Sequence, residues 1–194
     1  MRTNLSSRSL KLAAMFLVLS AIGAAAQQPQ APAAPPSKFK LMTAAYSEGS
    51  QIPAQFTCAV PMGTSPALQW TDPPKAAMSF AVIFHDTDGA PQKSSMDVTH
   101  WILWNLPADA TSLPASVQTD SSPNGAVQGK NVRGVNGYQP PCPPPGATPH
   151  HYIFEMYALD TKLDLPAGSM RADLLKAMDG HVVGKATYAA LFGR

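Results

Sequence analysis

The segment SFAVIF, residues 79–84, contains an uninterrupted apolar run that includes β-branched and aromatic side chains. A run of this length and composition predicts a β-strand that is buried on both faces. Two other segments have the same character: WILWNL at residues 101–106, which ends at Pro107, and YIFEMYAL at residues 152–159. Together the three segments predict the centre of a β-sheet.

Shorter segments on both sides of these runs also have the composition of strands and are interrupted by proline and glycine. The candidate strands are residues 39–43, 52–53, 56–58, 68–70 and 183–192. The segment MRADLLKAM at 170–178 favours a helix, with Ser169 as a candidate N-cap and Gly180 just beyond its end. Many short strands, 16 prolines after residue 38 and one clear helix predict a mainly β fold. We expect an antiparallel β-sandwich with one or two short helices.

The first 26 residues have the features of a secretory signal peptide. Arg2, Arg8 and Lys11 are basic, and an apolar stretch follows that ends in three alanines, which supply an A-x-A cleavage pattern. The stretch is too short and too rich in small residues for a good membrane span, which disfavours an uncleaved anchor. We therefore expect cleavage before Gln27 and a periplasmic or secreted product.

Residues 27–38 are rich in proline, alanine and glutamine and predict a disordered or polyproline-like spacer. The folded domain is expected over residues 39–194. Without the first 26 residues, the chain has 11 basic and 12 acidic residues. This balance excludes the basic surface on which nucleic-acid binding depends, and no transmembrane segment is expected after cleavage.

The chain has two cysteines, Cys58 and Cys142. An even count in an exported chain suggests a disulfide, which would close a loop of 84 positions. Two buried free thiols are the alternative. A metal site is disfavoured because the sequence has no C-x-x-C spacing.

Histidine and aspartate stand at the ends of all three long strands. HDTD at residues 85–88 follows the first strand, His100 precedes the second, and His150 and His151 precede the third. Strand ends of one sheet can meet at one rim, where rigid strands hold polar groups around a shared pocket. Polar caps without a pocket are the alternative, but three such strand ends favour a binding site.

The proline-rich segment GYQPPCPPPGATPHHY, residues 137–152, leads into the last of these strands. Proline has little conformational entropy to lose, so this loop can form a fixed wall, and its free backbone N–H groups can donate to an anion. Imidazoles and a tyrosine hydroxyl can donate to phosphate oxygens. We expect Asp86 and Asp88 to point to opposite sides, one toward the pocket and the other fixing the following turn.

Four segments resemble the ordered motifs of the phosphatidylethanolamine-binding proteins, and the resemblance is strongest to their bacterial, Raf-kinase-inhibitor-like branch. The segments are SPALQW (65–70), HDTDGAP (85–91), HWILWNLP (100–107) and GYQPPCPPPGATPHHY (137–152). The resemblance covers nearly all of residues 39–194. It implies a β-sandwich with a small pocket at one edge that binds phosphate, phosphorylethanolamine or similar oxyanions.

The resemblance also assigns the ligand-binding residues: Asp86, His100, Pro143, Pro144, His150 and Tyr152. Asp86 matches the first aspartate of the family's D-P-D-x-P motif, and His100 matches the histidine before the central strand. The two prolines match the pair that lines the cavity, and His150 and Tyr152 match the outer members of the H-R-Y motif. Asp86 can orient a histidine or pair with the ammonium of an ethanolamine head group.

Three residues depart from the family pattern. Thr87 replaces the first proline of D-P-D-x-P, Gly89 resembles an insertion, and His151 stands where arginine is common. These departures affect the expected shape and charge of the pocket. His151, Asp88 and Tyr138 are further candidates for residues that support the pocket.

The sequence leaves three functions open. The preferred one is a non-catalytic binding protein for small phosphate-bearing anions, without cofactor, metal ligands or catalytic residues. The second is an inhibitor of a protease or kinase that acts through its surface, since the resembling family includes such inhibitors; the loop Gly89–Thr99 is then a candidate contact. The third, a metal-dependent hydrolase, lacks H-E-x-x-H and G-x-S-x-G motifs.

The resemblance also bears on the two cysteines. Exported bacterial relatives often carry cysteines at positions like Cys58 and Cys142, which supports their pairing.

Overall fold

Residues 38–89 and 97–194 are described by the computed structural model. The predicted signal peptide at 1–26 and all of the predicted spacer except residue 38 lie outside the described residues. Most of the loop 89–99 does so as well. No helix in the described ranges is long and apolar enough to span a membrane.

Eight strands, one α-helix and two short 3₁₀ helices form the described part of the chain. The strands are β1 (Lys40–Met42), β2 (Leu68–Thr71), β3 (Ser79–Asp86), β4 (Val98–Pro107), β5 (Ser112–Leu113), β6 (Val127–Gln128), β7 (His150–Leu159) and β8 (Val182–Phe192). The α-helix is α1 (Arg171–Met178), and the 3₁₀ helices are Ala54–Phe56 and Pro123–Gly125.

The strands pair in two antiparallel sheets. One sheet has three strands in the order β1-β2-β5, and the other has five in the order β6-β4-β3-β7-β8. Side chains of both sheets share one apolar core, in which Trp70 of β2 contacts Phe80 of β3 at a centroid distance of 5.5 Å. The predicted mainly β fold with two antiparallel sheets and few helices is confirmed.

Strand β3 is buried along its whole length because both of its faces are covered. Phe80, Val82 and Phe84 lie in the core between the sheets. Ala81 and Ile83 point the other way and pack with residues of α1. This double cover explains why SFAVIF is apolar without alternation.

A β-bulge interrupts the pairing of β3 with β4 close to the predicted site. Phe84 is paired with Trp101 and His85 with Thr99, so His100 has no partner opposite it. One extra residue reverses the alternation of side chains, and bulges commonly redirect a side chain in this way. The ring of His100 consequently lies beside Phe84, on the core side of the sheet, at a centroid distance of 5.6 Å.

Some local predictions were wrong. Residues 52–58 contain the 3₁₀ helix Ala54–Phe56 rather than strands, because Pro53 lacks the N–H that strand pairing needs. Ser169 is not the N-cap of α1, since its hydroxyl donates to the carbonyl of Pro166. The carboxylate of Asp173 instead accepts the backbone N–H of Met170 at 3.0 Å.

Candidate functional site

A cavity of about 430 Å³ lies at the edge of the five-stranded sheet where β3 ends and where β4 and β7 begin. Its walls contain five of the six predicted ligand-binding residues together with residues that the sequence did not single out. The lining residues are Asp86, Asp88, Gly89, Val98, His100, Val132, Arg133, Gln139, Pro140, Cys142, Pro143, Pro144 and His150. The strand ends therefore meet at one rim, and ligand binding by these residues stays a prediction.

Asp86 is the last residue of β3 and is buried. Its Oδ1 accepts the backbone N–H groups of Asp88 at 2.9 Å and Gly89 at 3.0 Å. Its Oδ2 accepts Nδ1–H of His150 at 2.7 Å. One carboxylate thus fixes the turn after β3 and also orients a histidine.

The expectation that Asp86 and Asp88 point to opposite sides was wrong, since both line the cavity. Alternation gives no reason for opposite sides, because residues two apart in a strand share a face, and β3 in any case ends at Asp86. Oδ2 of Asp88 accepts the backbone N–H of His151 at 2.6 Å and lies 3.0 Å from its Nδ1. The hydrogen bond from that backbone N–H lowers the pKa of Asp88, with the His151 imidazole acting in the same direction.

His100 lines the cavity with one ring nitrogen already engaged. Its Nδ1–H donates to the carbonyl oxygen of Gln139 at 2.8 Å, which leaves Nε2 available to the cavity. Burial lowers the pKa of His100 below its ordinary value, although the Gln139 carbonyl and the Asp86 carboxylate oppose this effect. The neutral imidazole then presents a lone pair on Nε2.

Tyr152 is the one predicted ligand-binding residue that does not line the cavity. Its side chain is buried behind the imidazoles, with ring centroids 5.3 Å from His100 and 6.4 Å from His150. Its hydroxyl has no hydrogen-bond partner of acceptable geometry in the part of the chain that is described. Burial and the Asp86 carboxylate raise the pKa of Tyr152.

The proline-rich loop forms one wall of the cavity, as its composition predicts, and contributes Pro143 and Pro144. A disulfide between Cys58 and Cys142 fixes this wall, with a Cα–Cα distance of 5.3 Å. The carbonyl of Pro143 accepts Nε–H of Arg194 at 2.7 Å. The wall is therefore held by covalent and polar contacts on both sides of the loop.

Tyr138 supports the cavity from behind and does not line it. Its hydroxyl donates to the carbonyl of Phe56 at 2.9 Å, and its ring stacks on Phe84 at a centroid distance of 5.5 Å. Phe84 in turn contacts the imidazole of His100 at a centroid distance of 5.6 Å. Tyr138 thus fixes the position of the rings under the cavity.

Arg133 is a cavity residue that the sequence analysis missed. It lies in the segment between β6 and β7, and its backbone N–H donates to Oδ1 of Asn131 at 2.9 Å. Its side chain is exposed and makes no ion pair with a described residue. No strand or sequence pattern marks this position, so only its place in the fold identifies it.

His85 is also a strand-end histidine, but it points away from the cavity because it alternates with Asp86 along β3. Its Nδ1 lies 2.8 Å from Oδ2 of Asp97, which also lies 3.5 Å from Nη1 of Arg171 on α1. Burial lowers the pKa of His85, and the Arg171 guanidinium acts in the same direction.

In residues 38–89 and 97–194, no group of three or more metal-ligating side chains is placed to hold a metal ion.

A family model described as phosphatidylethanolamine-binding protein matches residues 42–193 of this chain. The chain belongs to the phosphatidylethanolamine-binding protein family. The UPF0098 protein of Methanothermobacter thermautotrophicus is 43% identical over 157 residues, which cover 80% of this chain and 99% of that protein.

Solved structures of the phosphatidylethanolamine-binding protein family have the same fold. Escherichia coli YbcL, described as a new member of the mammalian PEBP family, superposes with a TM-score of 0.74 at 31% identity, covering 81% of this chain and 99% of YbcL. A PEBP homologue from Chlamydia trachomatis superposes with a TM-score of 0.71 at 35% identity, covering 80% of this chain and 97% of that homologue.

The three departures from the phosphatidylethanolamine-binding protein pattern are accommodated without loss of the cavity. The backbone N–H of Thr87 donates to the carbonyl of His151 at 3.1 Å, which ties the turn to β7. Gly89 packs closely on Asp86, and an added Cβ would lie 2.5 Å from Cγ2 of Val98. His151 is exposed and paired with Asp88, so it is not part of the cavity wall.

Proposed function

We propose that this protein is an exported, non-catalytic binding protein whose cavity takes phosphate or a small phosphate-bearing molecule such as phosphorylethanolamine. The arrangement of His100 and His150 carries the proposal. Each uses Nδ1 within the protein and leaves Nε2 available to the same cavity. A ligand oxygen between these two nitrogens would meet two imidazoles held in fixed orientations.

The charge around the cavity fits a small anion that also carries a hydrogen-bond donor. Arg133 supplies a permanent positive charge to the lining, and the guanidinium geometry suits phosphate oxygens. Asp86 and Asp88 add carboxylates, which suit an ammonium group or a ligand hydroxyl. Phosphorylethanolamine combines a phosphate with an ammonium and matches both kinds of group.

Calorimetric titration with phosphorylethanolamine tests this function. We expect His100→Ala and His150→Ala each to weaken binding by about 10- to 100-fold, the range for losing a hydrogen bond to a charged group. His181→Ala is the matched control, because His181 pairs with Asp160 beyond the far end of β7. Unchanged binding in both cavity variants, with native circular dichroism, would reject the proposal.

Export is supported by the composition of the first 26 residues and fits the disulfide, since disulfides persist in oxidising compartments. Mass spectrometry of the protein from fractionated cells should find a periplasmic or secreted product that begins at Gln27. A cytoplasmic product that retains Met1 would reject export.

An assay for phosphate release tests the non-catalytic part of the proposal. Purified protein should release no phosphate from phosphorylethanolamine. Phosphate release that a chelator abolishes would favour the metal-dependent hydrolase instead.

Inhibition of a protease or kinase stays a prediction of the sequence. Its candidate contact, the loop Gly89–Thr99, falls largely outside the described residues, and no observation on the described surface favours it over binding of a small anion.

A further inference from the structure

We propose that the cavity selects oxyanions that carry a proton of their own, namely hydrogen phosphate and phosphate monoesters, over sulfate and phosphate diesters. This inference rests on the proposed function and specifies its ligand class. It assigns His100 as the residue that discriminates, through a hydrogen bond from a ligand P–OH to its Nε2. Arg133 contributes charge without discriminating.

The hydrogen bond to Gln139 fixes the tautomer of His100. A carbonyl oxygen can only accept, so Nδ1 of His100 must carry the hydrogen at the observed distance of 2.8 Å. In the neutral ring Nε2 is therefore an acceptor. Burial lowers the pKa of His100, which favours this neutral form. A ligand oxygen with no proton would place its own lone pair opposite that of Nε2, which is repulsive and forms no hydrogen bond.

The Asp86 carboxylate likewise fixes Nδ1 of His150 as the nitrogen that carries hydrogen. Oδ1 of Asp86 is occupied by the N–H groups of Asp88 and Gly89, and Oδ2 accepts Nδ1–H of His150. Nε2 of His150 is thus a donor only when that ring holds a second proton. A doubly protonated His150 would donate to any oxyanion, so the discrimination between ligands falls to His100.

The remaining polar groups of the cavity do not alter this requirement. Asp88 brings a second carboxylate, which accepts. Arg133 brings five N–H donors but is on an exposed part of the lining and pairs with no described carboxylate. A ligand that fits must therefore present negative oxygens to Arg133 and at least one donor to His100.

Phosphate monoesters meet this condition at mildly acidic pH, because their second pKa is about 6 and part of the population is then the monoanion. The monoanion has one P–OH and a single negative charge shared by two other oxygens on the same phosphorus. Sulfate and phosphate diesters have charged oxygens but no proton to donate in this range. They would leave the Nε2 acceptor opposite a ligand acceptor, and an unpaired polar contact of this kind costs about 10-fold or more in affinity.

Two matched ligand pairs test the selection by calorimetry at about pH 6.5, where monoesters hold a substantial monoanion fraction. The first pair is inorganic phosphate against sulfate. The second is methyl phosphate against dimethyl phosphate, a monoester and a diester that carry no hydrogen-bond donor apart from the P–OH of the monoester. We expect the proton-bearing member of each pair to bind at least about 10-fold more tightly.

Two variants identify the discriminating residue. Asn can replace the Nδ1–H donor toward Gln139 but has no atom at the position of Nε2, so His100→Asn should bring the phosphate-to-sulfate ratio close to one. Arg133→Gln should weaken both ligands by similar factors and keep their ratio. His181→Asn, beyond the far end of β7, should change neither.

The outcomes separate this inference from the proposed function. Sulfate binding within about twofold of phosphate, or dimethyl phosphate binding as well as methyl phosphate, would overturn the selection and leave anion binding intact. No binding of any of the four ligands at millimolar concentration would overturn both. A folded His100→Asn protein that keeps the full preference for phosphate would overturn the assignment of His100.

Discussion

The disulfide between Cys58 and Cys142 makes a prediction that can be worked out from the fold. We consider Cys58→Ser combined with Cys142→Ser, since neither cysteine is fully buried and serine fits both positions. The bridge spans 84 residues of sequence. In the chain-entropy model, a closed loop of this length stabilises the native state by about 4–5 kcal/mol.

The loss is large relative to the total stability of a domain of this size, which is typically about 5–15 kcal/mol. The wall of the cavity should nevertheless stay close to its place. The backbone N–H of Cys58 donates to the carbonyl of Pro141 at 3.0 Å, and that of Gln139 donates to the carbonyl of His100 at 2.8 Å. We therefore expect a strong loss of stability but only a few-fold loss of affinity for phosphorylethanolamine.

Urea unfolding monitored by tryptophan fluorescence measures the loss of stability. The wild-type protein in reductant serves as a second reference state. The double variant and the reduced wild type should lose similar free energies of unfolding and show a larger m-value, because the unlinked chain unfolds further. A loss below about 1 kcal/mol with an unchanged m-value would refute the loop-entropy reasoning.

Two other predictions concern the turn after β3 and the buried imidazoles. Gly89→Ala should destabilise the protein by about 1–3 kcal/mol, since the added Cβ would lie 2.5 Å from Cγ2 of Val98 and 3.2 Å from Oδ2 of Asp86; a melting temperature equal to wild type would contradict this. The free energy of unfolding should fall as the pH is lowered from about 7 to about 5, because burial lowers the pKa of both His85 and His100, so the unfolded chain binds more protons in that window. Urea titrations at both pH values check the sign, and greater stability at the lower pH would show that the reasoning is wrong.

The long strands could be predicted from sequence because their composition depends on burial alone. Residues 79–84 lie in a strand with two covered faces, and 152–159 and 183–192 also lie in strands. The two-residue strands Ser112–Leu113 and Val127–Gln128 were not predictable, because each is defined by the neighbouring strand with which it pairs.

The candidate site was predictable in its strand-end residues and not in its loop residues. Asp86 and His150 flank apolar runs that are visible in the sequence, so their convergence could be expected. His100 reaches the cavity through a bulge, and strict alternation would have placed it on the other face. Arg133 is brought to the cavity by a loop whose path depends on contacts distant in sequence, such as the Val132 N–H bonded to the carbonyl of Thr99.

The central claim is that His100 and His150 bind a phosphate through Nε2, while Nδ1 of each ring stays hydrogen-bonded within the protein. Long-range ¹H–¹⁵N spectra of the histidine rings, recorded during titration with phosphorylethanolamine, test it most directly. The account predicts that the Nε2 signals of His100 and His150 shift with a common dissociation constant, while those of His181 stay in place. Saturating ligand that leaves both cavity imidazoles unmoved, or that shifts His181 equally, would contradict it.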